Sequence, residues 1–330
     1  MKTYSSLKSF SKNLSHQFKP VLTIGNFDGF HLGHLALCNN TKKLATQYGT
    51  PWGILSFNPH PESFFKQIQK PSLISPSSKV SALEAIGADF FINQEFSEAF
   101  SKKTPQEFIQ HLISETGEVA GLVIGFDFQF GQARAGKKQD LQKAFDEKNL
   151  PLVEVSPIKY QGRPISSTRL REEIQKIGNF EDITAMLGRP YSVTGKVVHG
   201  KKVGRSLGFP TANIHASEET FPLEGVYTGF CTTQTCDPIR KPKSLTPMLA
   251  NIGKAPTIMT SREKKLEVHL LGVTLEADAL YHQDIRVFFC HRLRSEQKFA
   301  DVDQLKEQIN LDKQMAAARL AKASSYWKPL

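Results

Sequence analysis

VLTIGNFDGFHLGH, residues Val21 to His34, decides how the first half of this chain folds. The apolar run VLTI reads as a strand, the glycine-rich stretch after it as a turn, and HLALCNNTKKLATQY as a helix. Working outward, the same alternation repeats. WGILSF, DFFIN, GLVIGF and PLVEVSPI are strand-like, while SSKVSALEAIG, PQEFIQHLISET and KKQDLQKAFDEK carry helical spacing. Strand, helix and strand in repetition predict a parallel sheet covered by helices, a doubly wound α/β domain. The turn bearing His31 and His34 then lies at the carboxyl end of a parallel strand, where open α/β sheets bind ligands.

The pattern changes in the second half. STRLREEIQKIGNFEDITAMLG reads as two short helices broken near Gly178-Asn179. From Tyr191 onward YSVTGKVV, GVYTGFCTT, SLTPMLANIG, KLEVHLLGV and DIRVFFCHRL are strand-like and separated by turns, without intervening helices. That pattern predicts an antiparallel β-barrel. VDQLKEQINLDKQMAAARLAKAS then predicts a terminal helix. The boundary is expected near Leu187, giving modules 1–186 and 187–330.

A chain of 330 residues is more than one hydrophobic core normally serves, which agrees with two domains. Lysine and arginine number 42 against 32 acidic residues, a formal net charge of +10 that favours anionic partners. The basic residues come in short scattered groups (Lys42-Lys43, Lys137-Lys138, Lys201-Lys202, Lys264-Lys265), which suits a small anion better than nucleic acid. Cys38, Cys231, Cys236 and Cys290 show no zinc spacing and are expected to be free thiols. The first twenty residues lack the apolar core of a secretory signal, and nowhere do about eighteen apolar residues run together. A soluble, cytoplasmic protein with no membrane partner is expected.

Two histidines three residues apart on a glycine-rich turn suit a phosphate. Gly25, Gly29 and Gly33 allow close backbone approach, N–H groups at the helix start attract an anion, and two imidazoles add donors. A metal pair is the rival, with His60 and Asp28 as the nearest further ligands, and a structural pair of helix-start histidines is the third reading.

FDGFHLGH resembles the HxGH signature of the nucleotidyltransferase superfamily, and VLTIGNFDG is more specific. SFNPHP (Ser56–Pro61), IGFDFQFGQARAG (Ile124–Gly136) and ISSTRLR (Ile165–Arg171) follow in order. LGRPYSVTGKVVHGKKVGRSLGFPTANI, GVYTGF, NIGKAPTI, LEVHLLG and HRLRSEQKF complete a resemblance that spans nearly the whole chain. The family it resembles is the bacterial bifunctional riboflavin kinase/FAD synthetase.

That resemblance implies phosphorylation of riboflavin by ATP to FMN in the second module, and adenylylation of FMN by ATP to FAD in the first. For the first module it implies a site made of His31, His34 and the turn Gly25-Asn26-Phe27-Asp28-Gly29, with His60, Asp127 and Arg134, and a phosphate clamp of Ser166, Ser167, Thr168 and Arg171. An FMN phosphate is already mostly dianionic at neutral pH, so this step needs charge stabilisation and no general base. A ribityl hydroxyl must lose its proton as it attacks, so the kinase step needs a carboxylate, and by resemblance this is Glu267.

The turn Gly200 to Ile214 is expected to cradle ATP. Gly200, Gly204 and Gly208 permit backbone approach, Lys201, Lys202 and Arg205 supply charge, and Pro210 leads to Thr211 and Asn213, which the family uses to hold magnesium. It is no Walker P-loop. The chain departs from the family pattern at Ala255, Ile258, Gly272 and Tyr281-His282-Gln283. Two other classes compete. A nucleic-acid-binding protein is favoured only by charge and a barrel, and a flavin sensor would bind without turnover.

Overall fold

In the computed structural model, VLTI is a strand buried along its whole length, running into a turn and a 17-residue helix. The structure describes all residues except 14–18, 69, 117–118, 200–207, 217–218, 236, 255–263, 274–279, 322–325 and 328–330. The chain folds as two compact units: Met1–Lys70 with Val80–Ile165, and Pro71–Lys79 with Ser166–Leu330.

The first unit contains β1 (Lys2–Tyr4), α1 (Leu7–Ser11), β2 (Val21–Ile24), α2 (Leu32–Tyr48), β3 (Trp52–Asn58) and α3 (Pro61–Lys66). It continues through most of α4 (Pro76–Ala85), β4 (Phe90–Glu95), α5 (Glu98–Ser101), α6 (Pro105–Glu115), β5 (Gly121–Gly125), α7 (Lys138–Asp146) and β6 (Leu152–Val155). A small hairpin of β7 (Lys159–Tyr160) and β8 (Arg163–Pro164) ends it. The six larger strands form one sheet in the order β1-β4-β3-β2-β5-β6, every neighbouring pair parallel. From β2 the chain steps outward to β3 and β4 on one side and later to β5 and β6 on the other. The reversal of direction therefore falls between β2 and β5, the switch point at which such sheets bind ligands.

Alternation along the strands sorts their side chains onto two faces. Leu22, Ile24, Leu55, Leu122 and Ile124 join Leu7 and Phe10 of α1, Phe108 and Leu112 of α6, and Leu141 and Phe145 of α7 in one core. Burying each such side chain stabilises the fold by about 1.5–3 kcal/mol. Helix α2 ends as its sequence dictates, at Gly49 in the left-handed conformation, φ 61°.

In the second unit α8 (Ser167–Glu172) passes into a π-helical turn (Glu173–Ile177), and Gly178-Asn179 breaks the chain before α9 (Phe180–Leu187). Strands β9 (Tyr191–Val198), β10 (Ala212–His215), β11 (Gly225–Thr232), β12 (Thr246–Lys254), β13 (Lys264–Leu270) and β14 (Asp284–Arg294) close a barrel in the order β10-β13-β12-β11-β14-β9. All of its pairings are antiparallel. The last helix, α10 (Val302–Leu320), lies over β11, β12 and β14. Phe180 of α9 meets Tyr227 at 5.3 Å and Phe289 at 5.8 Å, which explains why α9 belongs to this unit.

One expectation is corrected. The stretch read as a turn through Ile214 becomes strand β10 from Ala212, because Ile214 is buried and both edges of this short segment find partners in β9 and β13. Cys38, Cys231 and Cys290 are free, buried thiols, and Cys236 lies outside the described residues. Burial pushes the Cys231 thiol up to about 12.

Candidate functional sites

At the carboxyl end of β2 the backbone turns through three left-handed residues, Phe27 (φ 49°), Gly29 (φ 87°) and Phe30 (φ 44°). Such a conformation costs a bulky residue on the order of 1–3 kcal/mol. Complete burial of both phenylalanine rings offsets it. The rings stand 5.1 Å (Phe27) and 6.4 Å (Phe30) from the His34 imidazole and hold it from behind.

His31 is the N-cap of α2, its Nδ1 accepting the His34 backbone N–H at 3.3 Å. With that nitrogen accepting, the neutral ring carries its proton on Nε2, as a donor. The His31 and His34 rings stack at 3.7 Å and 17°. Gly33 makes this possible, since a Cβ there would lie 3.1 Å from Cε1 and Nδ1 of His31.

His60 follows β3 as the N-cap of α3, its Nδ1 accepting from Glu62 N–H at 3.1 Å, and its Nε2 lies 2.9 Å from the Asn26 carboxamide. The structure thus brings Asn26 and His60 together. Asp127 and Arg134 lie on the loop after β5, which closes on itself through Phe130 and Gly136, and both are exposed. Topology places the turn after β2, His60 after β3 and this loop after β5 along one edge of the sheet, at the switch point. Asp28 is buried in the turn. Among the described residues no group of three or more His, Cys, Asp or Glu side chains is arranged to hold a metal ion.

Ser166, Ser167, Thr168 and Arg171 fall in the second unit. Ser166 is the N-cap of α8, its hydroxyl accepting from Arg169 N–H at 3.2 Å. Arg171 Nε donates to the Pro71 carbonyl at 3.4 Å. Ser167 is half-buried and Thr168 exposed at the helix start.

On the barrel, Leu266 and Val268 of β13 point inward, so Lys265, Glu267 and His269 share the outer face. Register places Asn213 of β10 directly across from Glu267 on one side and Asn251 of β12 on the other. The Glu267 carboxylate, 30% exposed, pairs with the Lys265 ammonium. Asn213 is buried, and its Oδ1 finds no hydrogen-bond partner among the described residues. An unsatisfied buried carbonyl oxygen calls for a partner, and a hard cation accepts such a ligand. Thr211, two residues earlier and exposed, offers a hydroxyl oxygen. The donor set therefore fits magnesium.

The approach to Asn213 is held in place by neighbours. His269 Nδ1 donates to the Pro210 carbonyl at 2.8 Å, and the Phe209 ring sits 5.8 Å from His269 and 5.5 Å from Lys313 Nζ. Gly208 takes φ 85°, which glycine adopts without strain. Gly200, Lys201, Gly204 and Arg205 lie outside the described residues, as do Ala255 and Ile258. Asn251, His269 and Glu296 also belong to this face; they fall within the motifs NIGKAPTI, LEVHLLG and HRLRSEQKF, but the sequence alone assigns them no site role. Their grouping around Glu267 becomes visible only with the pairing of the strands.

A doubly wound sheet with stacked histidines at its switch point, joined to a barrel whose outer face presents a carboxylate between two carboxamides, defines a two-site nucleotide-handling enzyme. The FAD synthetase family matches residues 14–169 and the riboflavin kinase family residues 187–320. The bifunctional riboflavin kinase/FMN adenylyltransferase of Escherichia coli (strain K12) is 36% identical over 293 residues, 88% of this chain and 90% of its own length. Its counterpart in Pseudomonas fluorescens is 32% identical, covering 94% and 97%. A crystal structure titled a macrolide-efflux protein from Streptococcus pneumoniae superposes with TM-score 0.82 at 28% identity, covering 96% of this chain and 99% of its own. Among the described residues no helix is long and apolar enough to cross a membrane. The chain belongs to the bifunctional riboflavin kinase/FMN adenylyltransferase family.

Proposed function

We propose that this chain converts riboflavin and ATP to FMN and ADP in module 187–330, and FMN and ATP to FAD and pyrophosphate in module 1–186, in the cytoplasm and without nucleic acid or membrane partners. The observation that carries the reading is that one chain matches both the FAD synthetase family, over residues 14–169, and the riboflavin kinase family, over residues 187–320.

In the kinase step Glu267 accepts the proton of the ribityl hydroxyl as the oxygen attacks the γ-phosphorus of ATP. To do so it exchanges its Lys265 partner for the substrate hydroxyl. Thr211 and Asn213 hold magnesium, which when bound draws negative charge from the phosphate oxygens. Gly208 and Pro210 belong to the cradle of the nucleotide, which the family resemblance extends to Gly200, Lys201, Gly204 and Arg205, outside the described residues.

In the adenylylation step the FMN phosphate is the nucleophile, and the residues act by neutralising charge. His31 and His34 donate to the α-phosphate and the departing pyrophosphate, helped by the N–H groups at the start of α2. Asn26 and His60 act together, Asp127 contacts the ribose, the adenine or the metal, and Arg134 helps neutralise phosphate, while for Ser166, Ser167, Thr168 and Arg171 the family resemblance implies a phosphate clamp.

Crossed substitutions test the assignment. Glu267→Gln stops FMN formation from riboflavin and leaves FAD formation from supplied FMN. His34→Ala lets FMN accumulate and slows FAD formation by about 10²-fold or more, the loss expected for removing a donor to transition-state charge. Loss of both activities in either variant contradicts separate sites.

A further inference from the structure

Two stretches, NIGKAPTI and HRLRSEQKF, carry family resemblance without a role in the steps above. The structure joins them. Asn251 opens the first and stands across β12–β13 from Glu267. Its amide nitrogen donates to Glu296 Oε1, in the second stretch, at 3.3 Å. The Glu296 carboxylate sits over Gly253, where any Cβ would meet Oε1 far inside van der Waals contact, and Gly253 is itself the cross-strand neighbour of Lys265. Asn251, Gly253, Lys265 and Glu267 thus make one square patch, with Glu296 laid across its β12 side.

The segment carrying Glu296 is anchored. Arg294, two residues earlier, forks onto Asp312 of α10 at 3.0, 3.1 and 2.8 Å, and Asp312 also accepts from Gln308 at 3.0 Å. Asp312 is 1% exposed, so this charge-assisted fork is shielded from water. The Arg294 backbone meanwhile pairs with Val226 of β11, whose other neighbour is Asn251. A path of contacts therefore runs from α10 through Arg294 and Glu296 to the carboxamide beside Glu267. A carboxamide fixed in plane next to a general base is suited to hold a primary hydroxyl for deprotonation, since it offers both a donor and an acceptor.

We propose that Asn251 is a further substrate-binding residue of the kinase site, holding the terminal hydroxyl of the polyol chain against Glu267. Glu296, fixed by Gly253 and by the α10 anchor, is the positioning residue that orients it. This inference rests on the kinase reading given above.

The test compares Glu296→Ala, Glu296→Gln, Gly253→Ala and Glu267→Gln in the full chain, measuring kcat and KM for riboflavin phosphorylation, with FAD formation from supplied FMN as the control. Glu296→Ala lowers kcat by about tenfold or more while KM for ATP stays within about twofold, as expected when an attacking group is misoriented. Glu296→Gln recovers most of that loss, because its amide oxygen accepts the same Asn251 N–H. Gly253→Ala reproduces the Glu296→Ala defect by displacing the carboxylate, and FAD formation is unchanged in all of them. Wild-type kcat in Glu296→Ala, equal loss in the Ala and Gln variants, or a harmless Gly253→Ala would overturn the proposal while Glu267→Gln remained inactive. If Glu267→Gln still makes FMN, the kinase reading fails and this inference falls with it.

Discussion

Gly33→Ala separates catalytic geometry from stability in the sheet module. The added methyl group meets Cε1 and Nδ1 of His31 at 3.1 Å, whereas carbon contacts settle near about 3.5 Å or beyond. The backbone of α2 is packed, so the imidazole must retreat by about 0.4 Å, since the methyl is fixed and the ring can rotate. That movement disturbs the 3.7 Å stack with His34 and the 3.3 Å bond from His34 N–H that sets the tautomer. Misplacement of a reacting contact by about 1 Å can cost about 10²-fold, so a shift of this size predicts about a tenfold loss. A tenfold loss corresponds to about 1.4 kcal/mol of transition-state stabilisation. Alanine is meanwhile the better helix former, by up to about 1 kcal/mol, which offsets a loosened N-cap bond of about the same worth, so the melting temperature is expected to change little. The assay is FAD formation from supplied FMN at saturating ATP, with FMN formation from riboflavin as the internal reference. Adenylylation within twofold of wild type would refute the packing argument, and an equal fall in both reactions would refute the separation of the sites.

Asn213→Ala is expected to raise the magnesium needed for half-maximal FMN formation by about tenfold or more, without changing that for FAD formation, and a metal titration of each reaction checks it. Asp312→Ala leaves the Arg294 guanidinium, 15% exposed, without its partner, so calorimetry should show the barrel unit destabilised by about 3–5 kcal/mol. A loss below about 1 kcal/mol would mean that solvent replaces the fork. His291 lies between Glu181 and the Tyr326 hydroxyl, and burial holds its pKa below the ordinary range against the opposing pull of Glu181. The unfolded chain therefore binds this proton more readily, and the stability contributed is full above about pH 6.5 and declines as pH falls below it. Denaturant midpoints at pH 7.5 and 5.5 should differ less in His291→Asn than in wild type.

The elements that carry both sites were largely legible in the sequence. Strand and helix alternate in the first half with clear periods, and VLTI, WGILSF, DFFIN and GLVIGF all became sheet strands. The break at Gly178-Asn179 was visible for a local reason, a left-handed glycine followed by an asparagine N-cap. Strand β10 was not visible, because four residues gain stability as a strand only when β9 and β13 lie on both sides. The left-handed Phe27 and Phe30 were equally hidden, since bulky aromatic residues avoid that conformation unless tertiary burial compensates. The role of Gly33 is also tertiary, as the group it spares is the His31 ring. Nor does the sequence show that Pro71–Lys79 packs with the second unit. That follows from hydrogen bonds such as Thr220 Oγ1 to the Ser72 carbonyl at 2.9 Å and Ser75 N–H to Glu219 at 3.2 Å, which join residues about 150 positions apart in the chain.

The most direct test of two complete sites in one chain is a time course of the purified protein with riboflavin, ATP and magnesium, resolved chromatographically into riboflavin, FMN and FAD. FMN should appear first and then convert to FAD. FMN that accumulates without conversion would contradict the role given to the His31–His34 turn. No product from riboflavin, with FAD still formed from added FMN, would contradict the role given to Glu267 and its row on the barrel.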